Sequence, residues 1–459
     1  MKNGMKIYVV ALIAALAGLL LGLDVGVISG ALKFISTHYH ITSDKFVQEQ
    51  IVSMVTVGAV LGVLASGRVS RVFGRKKAIL LSSIIFTIGA AGSSLSFGTG
   101  ALIVFRLVLG VGVGIASFTA PLYLSEMAPE RQRGSLISMY QLLITIGILG
   151  AFLSDWAIKH WITNDALNWR IMLGIVVVPS VCMFFGVLFL PESPRWLVLN
   201  NREKQARAVL RDLRSSDGEV DLEIKDIKNA MLQDDAGAGF TLLHNPNFRR
   251  ALLLGMGLQI CQQLTGINVM MYYSPAIFKD AHLSNPMLGT VLIGAVNVLA
   301  TFIAIAFVDR WGRKPILYVG QAVMAVSMAV VGLMFYRGAD SGIGQAFMVA
   351  GLVLFVVGFA MSSGPVIWIL CSEIFPLKGR ELGVTVSTMT NWIGNTLIGA
   401  SFLSIKHVLG DACTFWLFAA LNASFIIFFF KFCPETKGVS LEQIEKNLMG
   451  GKPLRQIGG

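Results

Sequence analysis

The sequence predicts an all-α membrane protein with about twelve transmembrane helices, and three observations support this fold class. The composition is 55% hydrophobic and 14% charged, whereas a soluble domain carries about 25% charged residues. Apolar segments recur along the chain at the length of roughly 20 residues that a helix needs to cross a bilayer. Short motifs in the first half of the chain return in the second half. Together these features predict two halves of six helices each.

The apolar segments form two groups separated by a polar stretch. The first group lies at 8–32, 50–67, 78–97, 101–124, 135–157 and 170–190, and the second at 249–279, 287–308, 315–335, 343–372, 384–408 and 411–432. They predict an N-terminal bundle over 1–190, a linker over 191–248, a C-terminal bundle over 249–432 and a tail over 433–459. Charged amphipathic segments in the linker predict short cytoplasmic helices.

The basic residues indicate the orientation of these helices. The formal net charge is +11, but the lysines and arginines are concentrated in alternate short loops. The rich loops contain Arg71, Arg75, Lys76, Lys77, Arg131, Arg133, Arg310, Arg313, Lys314, Lys378 and Arg380. By the positive-inside rule these loops and both termini are cytoplasmic. This placement explains the charge without a nucleic-acid partner.

Three motifs occur twice, in the same order and about 240 residues apart. Residues 70–76 (SRVFGRK) return as 309–314 (DRWGRK), 125–133 (SEMAPERQR) as 372–380 (SEIFPLKGR), and 191–193 (PES) as 434–436 (PET). Three matches in register predict a duplicated six-helix unit. Such parallel repeats are the plan of carriers that hold their substrate near the middle of the membrane.

These motifs also resemble a known family, the sugar porters of the major facilitator superfamily. The resemblance covers essentially the whole chain and includes PESPRWL at 191–197, QQLTGINVMMYY at 262–273 and PETKG at 434–438. Residues 123–155 look most like bacterial galactose–proton symporters, with arabinose symporters next. The resemblance implies the major facilitator fold, a bacterial inner-membrane location, and a monosaccharide and protons as partners beside the lipid bilayer. We expect the chain to function as a monomer.

Asp24 lies inside the first predicted helix, where a carboxylate costs roughly 2.5 to 3.5 kcal/mol to insert. Arg106 in the fourth helix is its natural partner, because the first helix runs outward and the fourth inward. At about 1.5 Å per residue, Asp24 lies roughly 24 Å from the inner end and Arg106 roughly 7 Å below the outer surface. These depths agree in a core of about 30 Å. The resemblance implies that Asp24 binds the proton and that Arg106 tunes it.

The pair has two interpretations. An aspartate beside an arginine binds a proton weakly, whereas an aspartate separated from it in a dry site binds a proton strongly. Alternating access can therefore load and release a proton at Asp24. The alternative is a static ion pair that only holds two helices together.

Amides inside the predicted helices are candidate sugar ligands, because they donate and accept hydrogen bonds without introducing charge. The resemblance implies that sugar hydroxyls are bound by Gln141, Gln262, Gln263, Asn268, Asn297, Asn391 and Tyr272. It also implies that Trp368 and Trp392 pack on the sugar ring. The alternative for a lone amide is a bond between helices worth about 0.6 kcal/mol. In the tenth segment, Gly364 and Pro365 predict a broken helix.

Cytoplasmic charges form a second candidate site. The resemblance implies ion pairs that hold the outward-facing state, formed by Glu126, Arg133, Glu192, Arg195, Asp309, Arg313, Glu373, Arg380 and Glu435. Because a surface pair contributes at most about 1 kcal/mol, only a network could bias the conformation. The alternative, topology signals alone, explains the basic residues but not the glutamates.

The leading function is uptake of a hexose, galactose or glucose, by proton symport. A passive facilitator is the nearest alternative, which Asp24 disfavours. A sugar sensor built on a transporter body is another, and the short segment 433–459 after the last helix argues against it. A membrane enzyme or ATP-driven pump is least supported, because the sequence has no G-x-x-x-x-G-K-[ST] loop, catalytic cluster or metal spacing. We therefore expect no cofactor and no metal.

Overall fold

The computed structural model describes residues 2–129, 133–214, 216–233, 241–338 and 342–458, and these ranges contain helices but no strand. The first helices are α1 Lys2–His38, α2 Lys45–Phe73, α3 Arg75–Ser94, α4 Thr99–Met127, α5 Arg133–Trp161, α6 Asp165–Gly174, α7 Val177–Leu188, α8 Pro194–Leu199, α9 Glu203–Leu213 and α10 Asp217–Gln233. The later helices are α11 Pro246–Leu264, α12 Ile267–Asp280, α13 Pro286–Trp311, α14 Arg313–Arg337, α15 Gly342–Met361, α16 Ser363–Glu373, α17 Arg380–Gly399, α18 Phe402–Phe432 and α19 Leu441–Met449. Short 3₁₀ helices occupy Leu242–His244, Leu377–Gly379 and Leu454–Gln456.

Within the described residues, ten helical segments are long and apolar enough to cross a membrane. Six come from α1 to α7, with α6 and α7 forming one segment, and four come from α13, α14, α15 with α16, and α18. The two other predicted crossings coincide with α11 followed by α12, and with α17. Those helices carry many of the chain's membrane amides, which make them less apolar. The predicted all-α polytopic membrane fold is confirmed, and this distribution agrees with twelve crossings.

The turn of the duplicated basic motif has the same backbone conformation in both copies. Gly74 joins α2 to α3 with φ 93° and ψ 165°. Gly312 joins α13 to α14 with φ 87° and ψ 160°. Glycine adopts this positive-φ region without the steric cost that a side chain would add. The repeat is therefore present in the backbone as well as in the sequence.

The tenth crossing is broken, as its Gly364-Pro365 pair predicts. Helix α15 ends at Met361 and α16 begins at Ser363, with Ser362 between them at φ −128° and ψ −90°. Pro365 has no N–H group and cannot donate to a carbonyl in the preceding turn. The break therefore weakens the helical hydrogen bonding at this depth of the membrane.

The described residues of the predicted linker, 191–248, include three helices, as its amphipathic segments predict. Helices α8, α9 and α10 share a small core formed by Trp196, Leu197, Val198, Ala206, Leu210, Val220 and Ile224. The guanidinium of Arg214 donates two hydrogen bonds to the carboxylate of Glu223 at 2.6 and 2.7 Å. Arg214 also donates to the carbonyl of Met127 at the end of α4, at 3.0 Å.

The chain divides into two compact units. The first contains Met1–Asp24, Met54–Gly147 and Leu173–Ala238, and the second contains Val25–Ser53, Ile148–Met172 and Gly239–Gly459. The division falls inside helices α1, α2, α5 and α6. The boundaries predicted for the two six-helix bundles, the linker and the tail therefore stay predictions.

Candidate functional site

Asp24 and Arg106 form a buried ion pair in the first unit. Arg106 Nη1 donates to Asp24 Oδ1 at 2.8 Å, and the two residues are 1% and 4% exposed. They lie on α1 and α4, which are long apolar helices. Both charges lose their water, so the pair persists only because each ion compensates the other. The structure thus brings together the two residues predicted to couple to protons.

Three amides form a hydrogen-bonded cluster in the second unit. Asn391 Nδ2 on α17 donates to Gln259 Oε1 at 2.6 Å and to Gln262 Oε1 at 2.7 Å, both on α11. Gln262 Nε2 donates to the carbonyls of Ser363 at 2.7 Å and Gly364 at 3.2 Å. These carbonyls belong to the first turn of α16, directly after the helix break. The broken helix therefore presents backbone acceptors to the amides.

A second pair of amides lies at the break between α11 and α12. Gly266 occupies this break with φ 95°, a left-handed conformation. Asn268 Nδ2 donates to Gln263 Oε1 across the break. One turn further along α12, the hydroxyl of Tyr272 donates to Asn395 Oδ1 on α17 at 3.2 Å. The break thus turns Gln263 and Asn268 toward each other, although they are five positions apart.

Among the described residues, the other predicted sugar ligands do not take part in these hydrogen bonds. Asn297 on α13 and Trp392 on α17 are buried, and Trp368 on α16 is 37% exposed. In the part of the chain that the structure describes, no side-chain hydrogen bond joins these three residues to the amide cluster. Gln141 is half-buried on α5 and belongs to the first unit.

The first copy of the duplicated basic motif is closed by hydrogen bonds within its own repeat. Arg75 Nε and Nη2 donate to the two carboxylate oxygens of Glu126 at 2.9 and 2.8 Å. The backbone amides of Arg75 and Lys76 donate to Glu192 Oε1 at 2.9 and 3.1 Å. The hydroxyl of Ser193 donates to Glu126. Both glutamates therefore brace the start of α3.

The second copy has the same connections. Arg313 Nη2 donates to Glu373 Oε1 at 3.0 Å, and the amides of Arg313 and Lys314 donate to Glu435 at 3.0 and 2.9 Å. The hydroxyl of Thr436 donates to Glu373 Oε2 at 2.5 Å. Partial burial opposes ionisation of Glu435, but the hydrogen bonds from the amides of Arg313, Lys314 and Lys437 outweigh it and hold its pKa below the usual value.

These contacts show which partners the glutamates of the predicted cytoplasmic gate bind. Glu126, Glu192, Glu373 and Glu435 each have partners inside their own repeat. Arg195 is exposed, and Arg380 donates to the carbonyl of Phe375 at 3.4 Å. The side chains of Arg133 and Asp309 lie outside the described residues. A latch between the halves stays a prediction.

Sequence reasoning missed two members of these clusters that the sequence does signal. Gln259 precedes Gln262 by three positions, so both lie on one face of α11. Arg75 occupies the place in the first motif that Arg313 occupies in the second. A systematic use of helical spacing and of the repeat would have identified both.

A buried carboxylate near the start of α2 was also missed. Glu49 is 1% exposed and accepts hydrogen bonds from the amide and the hydroxyl of Ser404, both at 2.7 Å. Ser404 lies in the first turn of α18, where backbone N–H groups lack helical partners and favour an anion. The partners are hundreds of positions apart in the chain, so no local pattern indicates this contact.

Comparisons with a family model and with known proteins both find carriers of sugars. The family model described as "Sugar (and other) transporter" matches residues 10–448. The galactose-proton symporter of Escherichia coli (strain K12) is 50% identical and covers 100% of this chain and 97% of its own. The arabinose-proton symporter of the same strain is 46% identical, covering 98% and 95%.

The solved structures that resemble this chain are also those of a sugar carrier. The partially occluded inward-open xylose transporter XylE from E. coli superposes with a TM-score of 0.83 at 28% identity, covering 95% of this chain and 99% of XylE. The proton:xylose symporter XylE bound to 6-bromo-6-deoxy-D-glucose gives a TM-score of 0.81 at 28% identity, covering 99% of both chains.

Proposed function

Because the chain belongs to the family of sugar transporters, we propose that it carries a hexose into the cell together with a proton, by alternating access. The carrying observation is the buried ion pair of Asp24 and Arg106. A passive facilitator has no need of an ionisable pair inside the membrane, where charge is costly. The relatives named as galactose-proton and arabinose-proton symporters support both the sugar and the proton.

Coupling follows from the dependence of the Asp24 carboxylate on Arg106. While the two side chains are in contact, Arg106 stabilises the ionised carboxylate. When the transport cycle separates them in a dry environment, Asp24 binds a proton. One proton moving through 100 mV supplies about 2.3 kcal/mol. This permits accumulation of order fifty-fold, because each 1.4 kcal/mol or so is a factor of ten.

Sugar recognition is assigned to the neutral amides. Asn391 donates to Gln262, and Gln262 donates to the carbonyls of Ser363 and Gly364 in α16, so a sugar hydroxyl exchanges one hydrogen bond for another. Gln141, Gln263, Asn268, Asn297 and Tyr272 are further ligands in this proposal, with Trp368 and Trp392 against the sugar ring. An unsatisfied polar group in a closed site costs about 1 to 3 kcal/mol. That cost is enough to discriminate galactose from a sugar that differs by one hydroxyl.

The membrane arrangement completes the proposal. The basic loops and both termini face the cytoplasm of a bacterial inner membrane, consistent with the positive-inside rule. The six-helix halves extend over 1–190 and 249–432, and the functional unit is a monomer. The glutamates braced in each repeat, with Arg133, Arg195, Asp309 and Arg380, form the cytoplasmic gate.

The decisive variant is Asp24→Asn. It removes the ionisable group and keeps its size, so uphill uptake into energised vesicles should fall to the level of equilibration while exchange of labelled sugar persists. Asp165→Asn, at the exposed start of α6, is the matched control and should accumulate sugar normally. Retained accumulation in Asp24→Asn would refute proton coupling at this residue.

The proton itself is measured in energy-starved cells. Adding the transported sugar should make the medium more alkaline as sugar and protons enter together. A panel of galactose, glucose, arabinose and xylose identifies the substrate in the same assay. Sugar entry without alkalinisation would establish the facilitator instead.

A further inference from the structure

A third carboxyl group, besides those of Asp24 and Glu49, is buried in the membrane helices, and the proposed mechanism does not use it. Asp155 lies in α5 and is 2% exposed. Among the described residues, neither of its carboxylate oxygens has a hydrogen-bond partner, and no basic side chain forms an ion pair with it. This contrasts with Asp24 and Glu49, whose carboxylates are both satisfied.

Asp155 lies directly against the backbone of α1. A Cβ atom added at Gly30 would lie 2.3 Å from Asp155 Oδ2 and 2.7 Å from its Cβ. Only a residue without a side chain allows this approach, because real Cβ contacts are much longer. The backbone of Gly30 lies close to the carboxyl group, but by distance and angle neither carboxylate oxygen accepts a hydrogen bond. The carboxyl group of Asp155 therefore occupies the space left by the missing side chain of Gly30.

Beside this contact is a small cavity. It is lined by Gly30, Phe152, Asp155, Pro275, Met287 and Thr290, and its volume is about 10 Å³, room for about one water molecule. The hydroxyl of Thr290 already donates to the carbonyl of Pro286 at 3.0 Å, and Pro275 has no N–H group. The walls offer almost nothing that could stabilise a negative charge.

The charged groups on the surrounding elements do not compensate this carboxyl group. On α1, Asp24 is paired with Arg106, and Lys33 is exposed. On α5 itself, Lys159 and His160 are exposed, and on α12 so are Lys279 and Asp280. Helix α13 carries its charged residues, Asp309 and Arg310, at the end opposite Met287 and Thr290. An isolated ionised carboxylate would be far costlier here than the neutral acid.

We propose that Asp155 is a second protonation site of the transport cycle, at which α1, α5, α12 and α13 close only around the neutral carboxyl group. When these helices separate and water enters, the carboxyl group releases its proton to that water. When they close, the carboxylate takes a proton back before it is buried. Closure at Asp155 therefore binds one proton, and acid favours the closed arrangement by up to about tenfold per pH unit.

Infrared spectroscopy of the protein in a detergent without ester groups tests the protonation state without relying on the proposed transport function. A neutral carboxyl group has a C=O stretch separate from the carboxylate bands. Near neutral pH this band should be present in the unmodified chain and in Asp24→Asn, and absent in Asp155→Asn. A band that survives in Asp155→Asn, or that is missing from the unmodified chain, would overturn the proposal.

Gly30→Ala is a second variant in case Asp155→Asn does not fold. Its methyl group must displace the carboxyl group from the wall of α1 toward water, so the band should disappear although Asp155 is still present. Persistence of the band in a folded Gly30→Ala protein would contradict the role assigned to this close contact.

Sugar exchange tests the role in the cycle, and this part rests on the proposed function. In the Asp24→Asn background, exchange should fall about tenfold per pH unit above the midpoint of Asp155, because the neutral fraction falls at that rate. Adding Asp155→Asn should make exchange independent of pH, whereas adding Asp165→Asn should not. Exchange that is already independent of pH in Asp24→Asn alone would exclude Asp155 as a titrating step. Absence of any sugar exchange would instead contradict the proposed function, leaving the infrared result to decide on Asp155.

Discussion

The two units treat polar groups inside the membrane differently. In the first unit, the continuous helices α1 and α4 hold one ion pair, Asp24 with Arg106. In the second, α11 and α12 are separated at Gly266, and α15 and α16 at Ser362, and neutral amides fill the region. In dry surroundings each charge of such a pair depends on the other, because neither is stabilised by water. In the proposed sugar site, the amides can both donate to and accept from sugar hydroxyls, whereas backbone carbonyls only accept.

The largest effect that follows from this contrast is expected at Arg106. Arg106→Met removes one charge and leaves the Asp24 carboxylate buried and uncompensated, so the free energy of unfolding should fall by about 3 to 5 kcal/mol. The double variant with Asp24→Asn has no net charge at the site and should recover most of the loss. Denaturant unfolding in detergent measures both. Equal destabilisation of the single and double variants would contradict the pairing.

An intermediate effect is expected in the amide cluster. Asn391→Ala leaves the side-chain oxygens of Gln259 and Gln262 without their donor, at a cost of about 1 to 3 kcal/mol. Because Asn391 is also a proposed sugar ligand, losing its own hydrogen bonds to the sugar should lower sugar affinity by roughly tenfold to a hundredfold, each 1.4 kcal/mol being about a factor of ten. Equilibrium sugar binding measures this, with Gln205→Ala on the exposed face of the linker as control. The ratio of protons to sugars should not change, and a change would show that the two regions are not functionally separate.

The smallest effect is expected where the two repeats are alike. Glu435→Gln and Glu192→Gln each weaken hydrogen bonds from two consecutive amides, so each should lower the free energy of unfolding by about 1 kcal/mol. The pKa of Glu435 is held below its usual value of 4.5. Its stabilising contribution is therefore complete above about pH 4.5 and is lost as the pH falls through the lower folded-state value.

The pH dependence of unfolding measures this contribution. Below about pH 4.5 the difference between the unmodified chain and Glu435→Gln should shrink. A difference that stays constant into acid would show that the carboxylate charge is irrelevant. Unequal effects of the two glutamine substitutions would limit the similarity of the repeats to their geometry.

Local patterns in the sequence account for most of the fold. The length of the apolar segments predicted the crossings, and the repeated SRVFGRK and DRWGRK motifs correspond to the same positive-φ turn at Gly74 and Gly312. The Gly364-Pro365 pair indicated the break before α16. The sequence alone predicts these features because each depends on nearby residues: proline and glycine change the local backbone, and the length of an apolar segment decides whether it can cross a membrane.

The sequence predicted only some of the contacts in the candidate site. Opposite helix directions and equal depth identified the contact of Asp24 with Arg106, which the structure contains. By contrast, the pairing of Glu49 with Ser404 depends on packing between helices that are distant in the chain. The unpaired state of Asp155 likewise depends on what α1, α12 and α13 place around it.

The sequence alone determined that this chain is a membrane-spanning carrier built from a repeat, with a few ionisable side chains in or beside its apolar segments. The tertiary structure decided which of them are satisfied. The carboxylate of Asp24 is paired with Arg106, and that of Glu49 is bound at the first turn of α18. Among the described residues, the carboxyl group of Asp155 has no such partner. The physical reason is that the cost of a buried charge depends on its neighbours in space, and hydropathy along the chain does not contain that information.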